Sequence, residues 1–517
     1  MYYLSATISF FLFGVISLSQ PVKRANNGSW PRQSFKTAPT FQPPVFDVYK
    51  SGAPLAPGLL LTSFIPATDE IENAAVIITD AGDLVWNSPS GSYSNLRVQY
   101  LDSEPVLTAW NGSSIGEQGY GFVSILDTTY TEIYRVCPQA YALAPDNTTF
   151  SCYGDIHESY ITDRGTILMT IYNITNADLT SINGPKDGWI YDGLFYEVDI
   201  KTNQTVFRWS AYEAGIPLTA SRAPLGQAAF GNGTLDSPFD FFHINSVELV
   251  GSRYFVNSRH YWTSYMLDSK GDIEWTIEGD TGGDFELPEG GQFAWEHHAV
   301  LKNVTEKEAI LTYFNNNNGN APLFNGTHPA EGLEFHLDLE NKTATLLKNL
   351  VDPNELIYPI AAGSYVDLPN GNVLLGYGTY PSIKEFGPEG DVRMSILFGE
   401  TVTSNPAGFT SLTYRAWREP WIGTPAAPPT AVFDQDNTNL YMSWNGATGI
   451  TMWEISCANA TEQQAIHSLG MIPSTGFETM FNLAGSGCSS AAVATAYRDD
   501  VPLRSTDFVA LTAGSKI

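Results

Sequence analysis

The sequence lacks the common motifs for nucleotide binding and for thiol–metal chemistry. Its 517 residues contain no P-loop, no dinucleotide-binding G-x-G-x-x-G pattern, no H-E-x-x-H and no C-x-x-C. Basic residues are also scarce, with 26 Lys and Arg against 55 Asp and Glu and a net charge of −29. An acid excess of this size opposes binding to nucleic acids and to anionic membranes. We therefore expect no cofactor and no nucleic-acid partner.

Long apolar runs are limited to the N-terminus. The stretch Leu4–Leu18 is uncharged, mostly apolar and too short to cross a bilayer comfortably. The small-residue pattern Ser17–Ser19 ends it, so residues 1–19 are predicted to be a secretory signal peptide. Lys23-Arg24 is a candidate dibasic processing site. We therefore expect a secreted protein, extracellular or in the lumen of the secretory pathway, with no stable membrane insertion after cleavage.

Cysteine is sparse, and the four cysteines allow three pairings. The local pairs Cys137–Cys152 and Cys457–Cys488 are the predicted disulfides, as suits an oxidising compartment. Asparagine sequons are numerous, which is typical of a glycosylated exported protein. The ten predicted glycosylation sites are Asn27, Asn111, Asn147, Asn173, Asn203, Asn232, Asn303, Asn325, Asn341 and Asn459.

Helix signals are nearly absent, and Ala460–Leu469 is the best short-helix candidate. The chain instead repeats a hairpin of two apolar strands six times, which predicts an all-β fold with a six-bladed β-propeller. The copies are Ala74–Trp86, Gly121–Val136, Gly193–Trp209, Ser264–Trp275, Leu333–Leu347 and Pro381–Leu397.

The predicted propeller spans residues 57–422, after a polar, Pro-rich lead-in segment at 20–56. The early strand Gly58–Pro66 and the late strand Thr410–Trp421 are expected to share one blade, which would close the ring and remove its sheet edges. A Pro-rich linker at 423–430 follows. The alternating, turn-rich segments at 431–517 predict a C-terminal antiparallel β-sandwich.

A second hairpin lies between successive copies, and its first strand carries histidines. Counting back eight residues from the turn glycines reaches His157 and His243, and a similar count in the next hairpin reaches His297 or His298. Because equal offsets in different blades face the same axis, we expect the imidazoles of His157, His243 and His297 to converge at one mouth of the central channel. His298 is expected to face away, since side chains alternate along a strand.

These histidines are the catalytic candidates, because neutral imidazole is a good nucleophile and proton carrier near neutral pH. Three histidines could alternatively hold zinc with an open position, although here the ligands would come from separate blades; we expect no metal. Arg259 is the best candidate for binding an anionic group, because a guanidinium offers a bidentate fork to sulfate, phosphate or carboxylate. His260, across the hairpin from His243, is predicted to support the site.

Several strings of the sequence resemble the fungal branch of the arylsulfotransferase family. They are FDFFHINSVELVGSRYFVNSRH, DIEWTIEG, FAWEHHAV, LTYFNNN, LPNGNVLLGYG, YRAWREPWIGTP, SWNGAT and GFET, and the resemblance runs from about Pro57 to the C-terminus. It implies a six-bladed propeller related to bacterial arylsulfate sulfotransferases. Those enzymes transfer a sulfuryl group between phenols without a nucleotide cofactor, through a transiently sulfated histidine.

The resemblance also implies roles for single residues. His243 matches the histidine of the family motif D-x-x-H-x-N, with Asn245 beside it, and Glu296 stands where Gln usually precedes the histidine matched by His297. Arg259 and His260 match the SR/SRH pattern that ends the hairpin of His243. The predicted substrate-binding residues are Arg259, Asn245, His260 and Glu296.

This chain departs from the family pattern where the next inner strand begins. The resemblance implies a nucleophilic histidine near Gly363–Ser364, and none is present. Sulfotransfer is therefore expected to be weak, and Gly363→His or Ser364→His is expected to raise it.

The predicted function is cofactor-free group transfer on phenolic or other aromatic small molecules, similar to aryl sulfotransfer. Two alternatives remain on the same scaffold. One is a secondary-metabolism enzyme that uses His and Glu as acid and base for cyclisation, isomerisation or hydrolysis without sulfate. The other is a non-catalytic secreted binding protein.

Overall fold

The protein is described by a computed structural model. It covers residues 30–66, 73–140, 142–145, 148–317, 328–400, 411–459, 461 and 464–511. The predicted signal peptide, the Lys23-Arg24 site and the sequons Asn27, Asn147 and Asn325 lie outside the described residues.

The described chain is built from β-strands, which confirms the all-β prediction. Its helical elements are two 3-10 turns, Thr180–Ile182 and Leu218–Ala220, and no α-helix occurs among the described residues. No helix in that part of the chain has the length and apolar composition needed to cross a membrane.

Six sheets follow one another along the first four-fifths of the chain. Each contains at least four antiparallel strands. Sheet 1 contains β2 (Leu59–Pro66), β3 (Ala74–Ile78), β4 (Leu84–Asn87), β25 (Ser411–Leu412) and β26 (Ala416–Glu419). Sheet 2 contains β5 (Tyr93–Leu101), β6 (Glu104–Ile115), β7 (Gln118–Leu126) and β8 (Glu132–Val136). Sheet 3 contains β9 (Ser159–Ile161), β10 (Thr166–Ala177), β11 (Gly188–Asp199) and β12 (Thr205–Ser210).

The next three sheets repeat the same order of strands. Sheet 4 contains β13 (Ile244–Val250), β14 (Arg253–Ser258), β15 (Thr263–Leu267) and β16 (Ile273–Glu278). Sheet 5 contains β17 (His297–Lys302), β18 (Glu308–Asn315), β19 (Glu331–Asp338) and β20 (Thr343–Leu350). Sheet 6 contains β21 (Ser364–Asp367), β22 (Val373–Gly376), β23 (Ser382–Phe386), β24 (Val392–Leu397) and β1 (Asp47–Lys50).

The six predicted hairpin copies are the third and fourth strands of the six sheets. The third strands of sheets 1, 4 and 6 are buried along their whole length, and glycines stand in three of the six turns. The turn residues Gly82, Gly271 and Gly390 of three copies have φ of 83°, 93° and 80°, a left-handed conformation that glycine adopts without steric cost. The early strand and the late strand were expected to share one sheet, and this is observed, since β2 pairs antiparallel with β26.

Apolar cores lie between neighbouring sheets and join them in order. Separate clusters of buried side chains connect sheet 1 with 2, 2 with 3, 3 with 4, 4 with 5 and 5 with 6. A sixth cluster returns from sheet 6 to sheet 1, where Ile396 packs with Val76 and Leu60. Each of the six sheets is thereby packed against the next, and sheet 6 is packed against sheet 1.

Polar side chains tie the inner strands across the boundaries between sheets. The carboxylate of Glu419 accepts a hydrogen bond from Val98 N–H at 2.6 Å, and that of Glu248 accepts one from Leu301 N–H at 3.0 Å. The Gln99 amide oxygen accepts from Ile161 N–H at 2.7 Å. Because each acceptor meets a backbone donor of the next sheet, these buried groups also set the register between sheets.

The C-terminal residues form two further sheets around their own core. One contains β27 (Thr430–Phe433), β28 (Asn439–Ser443) and β31 (Glu478–Asn482). The other contains β29 (Met452–Asn459), β30 (Gln464–Pro473), β32 (Ala491–Arg498), β33 (Val501–Ser505) and β34 (Val509–Ala510). Both predicted disulfides are present, Cys137–Cys152 between sheets 2 and 3 and Cys457–Cys488 in the C-terminal part.

One local prediction was wrong. The helix candidate Ala460–Leu469 contributes its second half to strand β30, which pairs with β29, so tertiary pairing overrides its helix-forming composition. The lead-in segment also contains a strand, since β1 pairs with β24 at the outer edge of sheet 6. Covering that edge removes unpaired backbone groups that would otherwise face solvent.

Candidate functional site

Two of the predicted histidines lie against each other at the inner ends of sheets 3 and 4. The ring centroids of His157 and His243 are 4.8 Å apart, and the rings are perpendicular. His297 lies on the other side of Tyr414, whose ring is 5.4 Å from His157 and 6.3 Å from His297. All three side chains are at least 95% buried. His157 therefore lies between the His243 ring and the Tyr414 ring that also contacts His297.

Each of the two neighbouring histidines is paired with an aspartate. His157 Nδ1 is 2.6 Å from Asp155 Oδ2, and His243 Nδ1 is 2.6 Å from Asp240 Oδ2. Because an ionised carboxylate only accepts, each Nδ1 carries the proton and donates it. The Nε2 atoms of both rings make no hydrogen bond to any described residue, so each keeps a lone pair available for chemistry.

The two aspartates sit in different environments. Asp155 accepts hydrogen bonds from Gly119 N–H at 2.6 Å and Thr170 Oγ1 at 2.8 Å, in addition to His157. Burial alone would raise the pKa of Asp155, but the His157 ring and these donors hold it below its ordinary value. Asp240 accepts from Gln118 at 2.9 Å, and burial raises its pKa. Asp155 is therefore the more firmly ionised partner.

The electrostatics keep His243 neutral. Burial, followed by the nearby His157 and Arg259, lowers the pKa of His243 well below its ordinary value. A neutral ring with its proton fixed on Nδ1 presents Nε2 as a nucleophile or base.

Arg259 and His260 lie on the same side of His243. The His260 ring is 4.6 Å from the His243 ring; its Nδ1 donates to Asp240 O at 2.6 Å, and its Nε2 accepts from Arg259 Nη1 at 2.9 Å. Arg259 also donates to Ile360 O at 3.1 Å and stacks over Trp295. His260 therefore fixes the direction of the guanidinium and has no free ring nitrogen.

His297 differs from the other two histidines, because both of its ring nitrogens are engaged. Nδ1 donates to Asn316 Oδ1 at 2.6 Å, and Nε2 accepts from Ala362 N–H at 3.1 Å. In this arrangement His297 has no lone pair for attack, and it links sheet 5 to the loop before β21. The neighbouring His298 contacts Trp417 and accepts from Tyr365 N–H at 3.2 Å, away from His157.

Asn245 and Glu296, predicted to bind substrate, lie in the boundary between sheets 4 and 5. The Asn245 amide donates to Glu296 O at 2.7 Å and accepts from Asn257 at 3.0 Å. Its hydrogen-bonding groups are thereby occupied within the protein. Glu296 is fully buried near Asn257, and burial raises its pKa to about 8. Neither residue offers a charged group to a ligand at neutral pH.

The position of the missing histidine is sterically closed. Gly363 has φ of 122°, and a Cβ there would lie 2.2 Å from Phe314 Cδ1. Ser364 Oγ accepts a hydrogen bond from Ala416 N–H at 3.1 Å in the boundary between sheets 6 and 1. The contact with Phe314 opposes a histidine at Gly363, and at Ser364 a histidine would replace a fully buried, hydrogen-bonded side chain.

Several residues of the site carried no signal in the sequence. Glu117, at the tip of the β6–β7 hairpin, places Oε2 3.8 Å from Arg259 Nη1 and 3.9 Å from His243 Nδ1. Arg415 forms a fully buried ion pair with Glu158 and donates to Asn245 O.

Three donor groups of the site lie close enough to suggest a metal centre, and their bonding argues against it. Ligand atoms of Asp240, His243 and His260 lie within 4.8 Å of one another. The ring nitrogens on this side already bond Asp240 or Arg259, and the guanidinium places a positive charge beside them. The group does not match the free, deprotonated ligand set that a divalent metal requires.

Fold and site together define an all-β protein of repeated four-stranded sheets whose inner strands gather aspartate-paired histidines and a buried arginine. The chain belongs to the arylsulfotransferase (ASST) family, whose model matches residues 97–399. No curated protein matches the chain.

Solved structures resemble the chain only distantly. A protein of unknown function from Bacteroides caccae is 11% identical with a TM-score of 0.38, covering 70% of this chain and 98% of its own. The GH93 α-L-arabinofuranosidase of Fusarium graminearum is 12% identical with a TM-score of 0.35, covering 69% and 90%. The α-L-arabinanase of Penicillium chrysogenum is 14% identical with a TM-score of 0.32, covering 75% and 94%.

Proposed function

We infer that sheets 1 to 6 are the blades of one six-bladed propeller at about 57–422, followed by a β-sandwich at about 431–517. The inter-sheet cores support this, because they run from sheet 1 to sheet 6 and return to sheet 1. The pairing of β2 with β26 supports it as well, since it joins the two ends of the ring within one sheet.

We propose that the protein is an arylsulfotransferase-like enzyme acting on phenolic or other aromatic small molecules, with His243 as its nucleophile. The observation that carries the proposal is the Asp240–His243 pair, which leaves the His243 Nε2 lone pair free beside the Asp155–His157 pair. The family membership supports the reaction class. The engaged nitrogens of His297 favour His243 over it.

In the first half-reaction, His243 Nε2 attacks the sulfur of an aryl sulfate. The N–S bond forms as the S–O bond to the aryl oxygen breaks, and the electron pair leaves on that oxygen. When the His157 ring carries a second proton, on Nε2, it gives that proton to the departing phenolate oxygen, and the Asp155 carboxylate on Nδ1 holds the ring in place. In the second half, neutral His157 takes the acceptor's proton, the phenolate oxygen attacks sulfur, and the N–S electron pair returns to His243.

Arg259 is the group that balances the sulfuryl charge in this scheme. Its guanidinium is held by His260, Ile360 O and the Trp295 face, so its orientation is fixed before the substrate binds. Pre-oriented donors stabilise developing charge better than mobile ones. No metal or organic cofactor enters any step.

The direct test is release of p-nitrophenol from p-nitrophenyl sulfate in the presence of a phenol acceptor, with detection of the sulfated acceptor. We expect turnover by the full-length protein. His243→Gln should abolish it, whereas His298→Gln, which alters a neighbouring buried histidine outside the site, should keep it if the variant folds. No sulfated product from folded wild-type protein would overturn the proposal.

A second candidate function is acid–base catalysis on an aromatic substrate without sulfate. It is favoured by Glu117, whose carboxylate lies 3.8 Å from Arg259 Nη1 and competes with an anion there, and by the closed position at Gly363. Turnover of a substrate without transfer of sulfate, still dependent on His243, would favour this candidate. Binding that survives loss of His243 and His157 would instead favour a non-catalytic secreted binding protein.

Secretion is part of the proposal. The two disulfides suit an oxidising compartment. None of the seven sequon asparagines in the described chain is buried, so each can carry a glycan, namely Asn111, Asn173, Asn203, Asn232, Asn303, Asn341 and Asn459. Expression in a secreting host should give a glycosylated protein in the medium; retention inside the cells without glycans would contradict this.

A further inference from the structure

A cavity of about 340 Å³ opens beside the Asp240–His243 pair. Its walls are the tip of the β6–β7 hairpin and the loop 228–238 that precedes β13. This volume lies in the range of small-molecule sites. The cavity is therefore large enough for a ring with a short side chain.

The chemistry of the walls has two components. Phe230 and Tyr191, both at least 90% buried, supply aromatic surface, and Pro145 and Pro238 extend it. Every charged residue on the walls is acidic. These residues are Glu117, Asp236 and Asp240. Among the described residues, no Lys, Arg or His lines the cavity, although Arg259 Nη1 lies 3.8 Å from Glu117 Oε2.

One atom of Asp240 lacks a partner. Asp240 is 4% exposed, and its Oδ2 bonds His243 and Gln118, but its Oδ1 accepts no hydrogen bond from a described residue. A buried carboxylate oxygen without a donor is costly unless a ligand supplies one. Oδ1 itself is closed to solvent and lies 3.9 Å from His260 Nδ1, so Asp240 contributes to the cavity through the negative charge that it adds to the wall.

We propose that this cavity binds an aromatic ligand that carries a protonated amine, with the ring against Phe230 and Tyr191 and the ammonium among Asp240, Asp236 and Glu117. The inference rests on the proposed function in one respect only, since it identifies the acceptor of the transfer as a phenolic amine. The binding preference itself does not require sulfotransfer. Anionic aromatic molecules should be excluded by the same carboxylates.

The test compares three phenols of similar size that differ in charge: tyramine, 4-ethylphenol and 3-(4-hydroxyphenyl)propanoate. Their dissociation constants for the full-length protein are measured by calorimetry at low salt. We expect tyramine to bind about tenfold more tightly than 4-ethylphenol, and the propanoate to bind most weakly. The preference for tyramine should shrink as salt is added, because the carboxylates at the cavity mouth are exposed.

The double variant Glu117→Gln/Asp236→Asn should remove most of the preference while 4-ethylphenol binding is kept. Both residues are exposed, so folding should be preserved, and a thermal melt checks this. Glu389→Gln, at an exposed turn outside the cavity, is the matched control and should change nothing. If the double variant does not fold, the three-ligand series and its salt dependence on the wild-type protein decide.

Equal binding of the three phenols, absence of binding, or a preference unchanged in a folded double variant would each overturn the inference. The outcome is separable from the proposed function. Preference for tyramine without sulfated product leaves the cavity assignment standing and removes the transferase. Sulfated product from all three phenols at similar rates removes the assignment and leaves the transferase.

Discussion

His243 and His297 stand at similar distances before the turns of their hairpins, yet their hydrogen bonds give them different roles. His297 uses both ring nitrogens within the protein, whereas His243 uses one. We predict that His243→Gln reduces sulfotransfer by about a thousandfold or more, because a nucleophile is lost. His297→Gln should keep transfer within about tenfold and lower the free energy of unfolding by about 1–3 kcal/mol, because Asn316 and Ala362 lose a buried partner.

The measurement is single-turnover sulfotransfer beside chemical unfolding for both variants. A thousandfold loss in a folded His297→Gln protein, with His243→Gln nearly active, would reverse the assignment of the nucleophile.

Gly363 gives a second prediction for a single residue. Gly363→Ala should lower the unfolding free energy by several kcal/mol, because its Cβ would meet Phe314 at 2.2 Å and the backbone is left-handed. Gly251→Ala shares the positive φ but has open space around it, so it should cost only about 1 kcal/mol. Denaturant titration compares them. Equal costs would show that the contact with Phe314 is relieved without strain.

Part of the site is readable from the sequence, and part is not. Asp155 and Asp240 stand two and three residues from their histidines, so both pairs can be anticipated from spacing. Glu117 and Asn316 reach the site from other sheets, and local sequence carries no record of such contacts. The loss of His297 as a nucleophile depends on Asn316 and on a backbone N–H, which could not be predicted from residue types.

Among the structural elements, the boundaries between sheets should make stability depend on pH. Burial raises the pKa of Glu248 to about 7 and that of Glu419 to about 7. The folded pKa lies above the unfolded one, so the protonated form of each group stabilises the fold. This contribution is full below about pH 4.5 and is lost as pH rises through 7.

We therefore expect the melting temperature to fall between pH 5 and pH 8. Glu248→Gln and Glu419→Gln keep an acceptor for the backbone N–H groups of Leu301 and Val98 but no longer titrate. Each variant should therefore lose about 2 kcal/mol less of its unfolding free energy than the wild type between pH 5 and pH 8. The exposed Glu104→Gln is the control. If calorimetry across this range shows the same change of stability with pH in both buried variants as in the wild type, the assignment of this pH dependence to Glu248 and Glu419 is contradicted.

The strands differ in how far the sequence predicts them. The twelve strands of the six repeated hairpins follow from their apolar runs and the turn residues between them, which act locally. The strand β1 and the first residues of β30 do not, because each is a strand only through pairing with a partner, β24 or β29. Ala460–Leu469 is rich in helix formers, and the edge of a sheet overrode that preference.

At the scale of the whole molecule, a small polar contact joins the C-terminal sheets to sheets 1 and 2. The Tyr130 hydroxyl donates to Gly446 O at 2.7 Å and accepts from Trp421 Nε1 at 2.9 Å. We predict that Tyr130→Phe lowers the unfolding free energy by about 1–2 kcal/mol, because the Trp421 N–H loses its acceptor. The exposed Tyr100→Phe should have little effect.

Differential scanning calorimetry reports whether this contact couples the two parts. A single transition is expected for the wild type and a broader or divided one for Tyr130→Phe. Identical traces would show that the remaining contacts, such as Asn87 with Asn445, suffice for coupling.

The central claim is that His243 carries the transferred group. The measurement is peptide mass mapping after brief exposure of the protein to p-nitrophenyl sulfate without an acceptor, quenched in alkali to preserve an N–S bond. We predict one added sulfuryl group on the peptide containing His243, discharged when a phenol is added and absent from His243→Gln. A sulfuryl group on another residue, or steady transfer with no adduct on His243, would contradict the account.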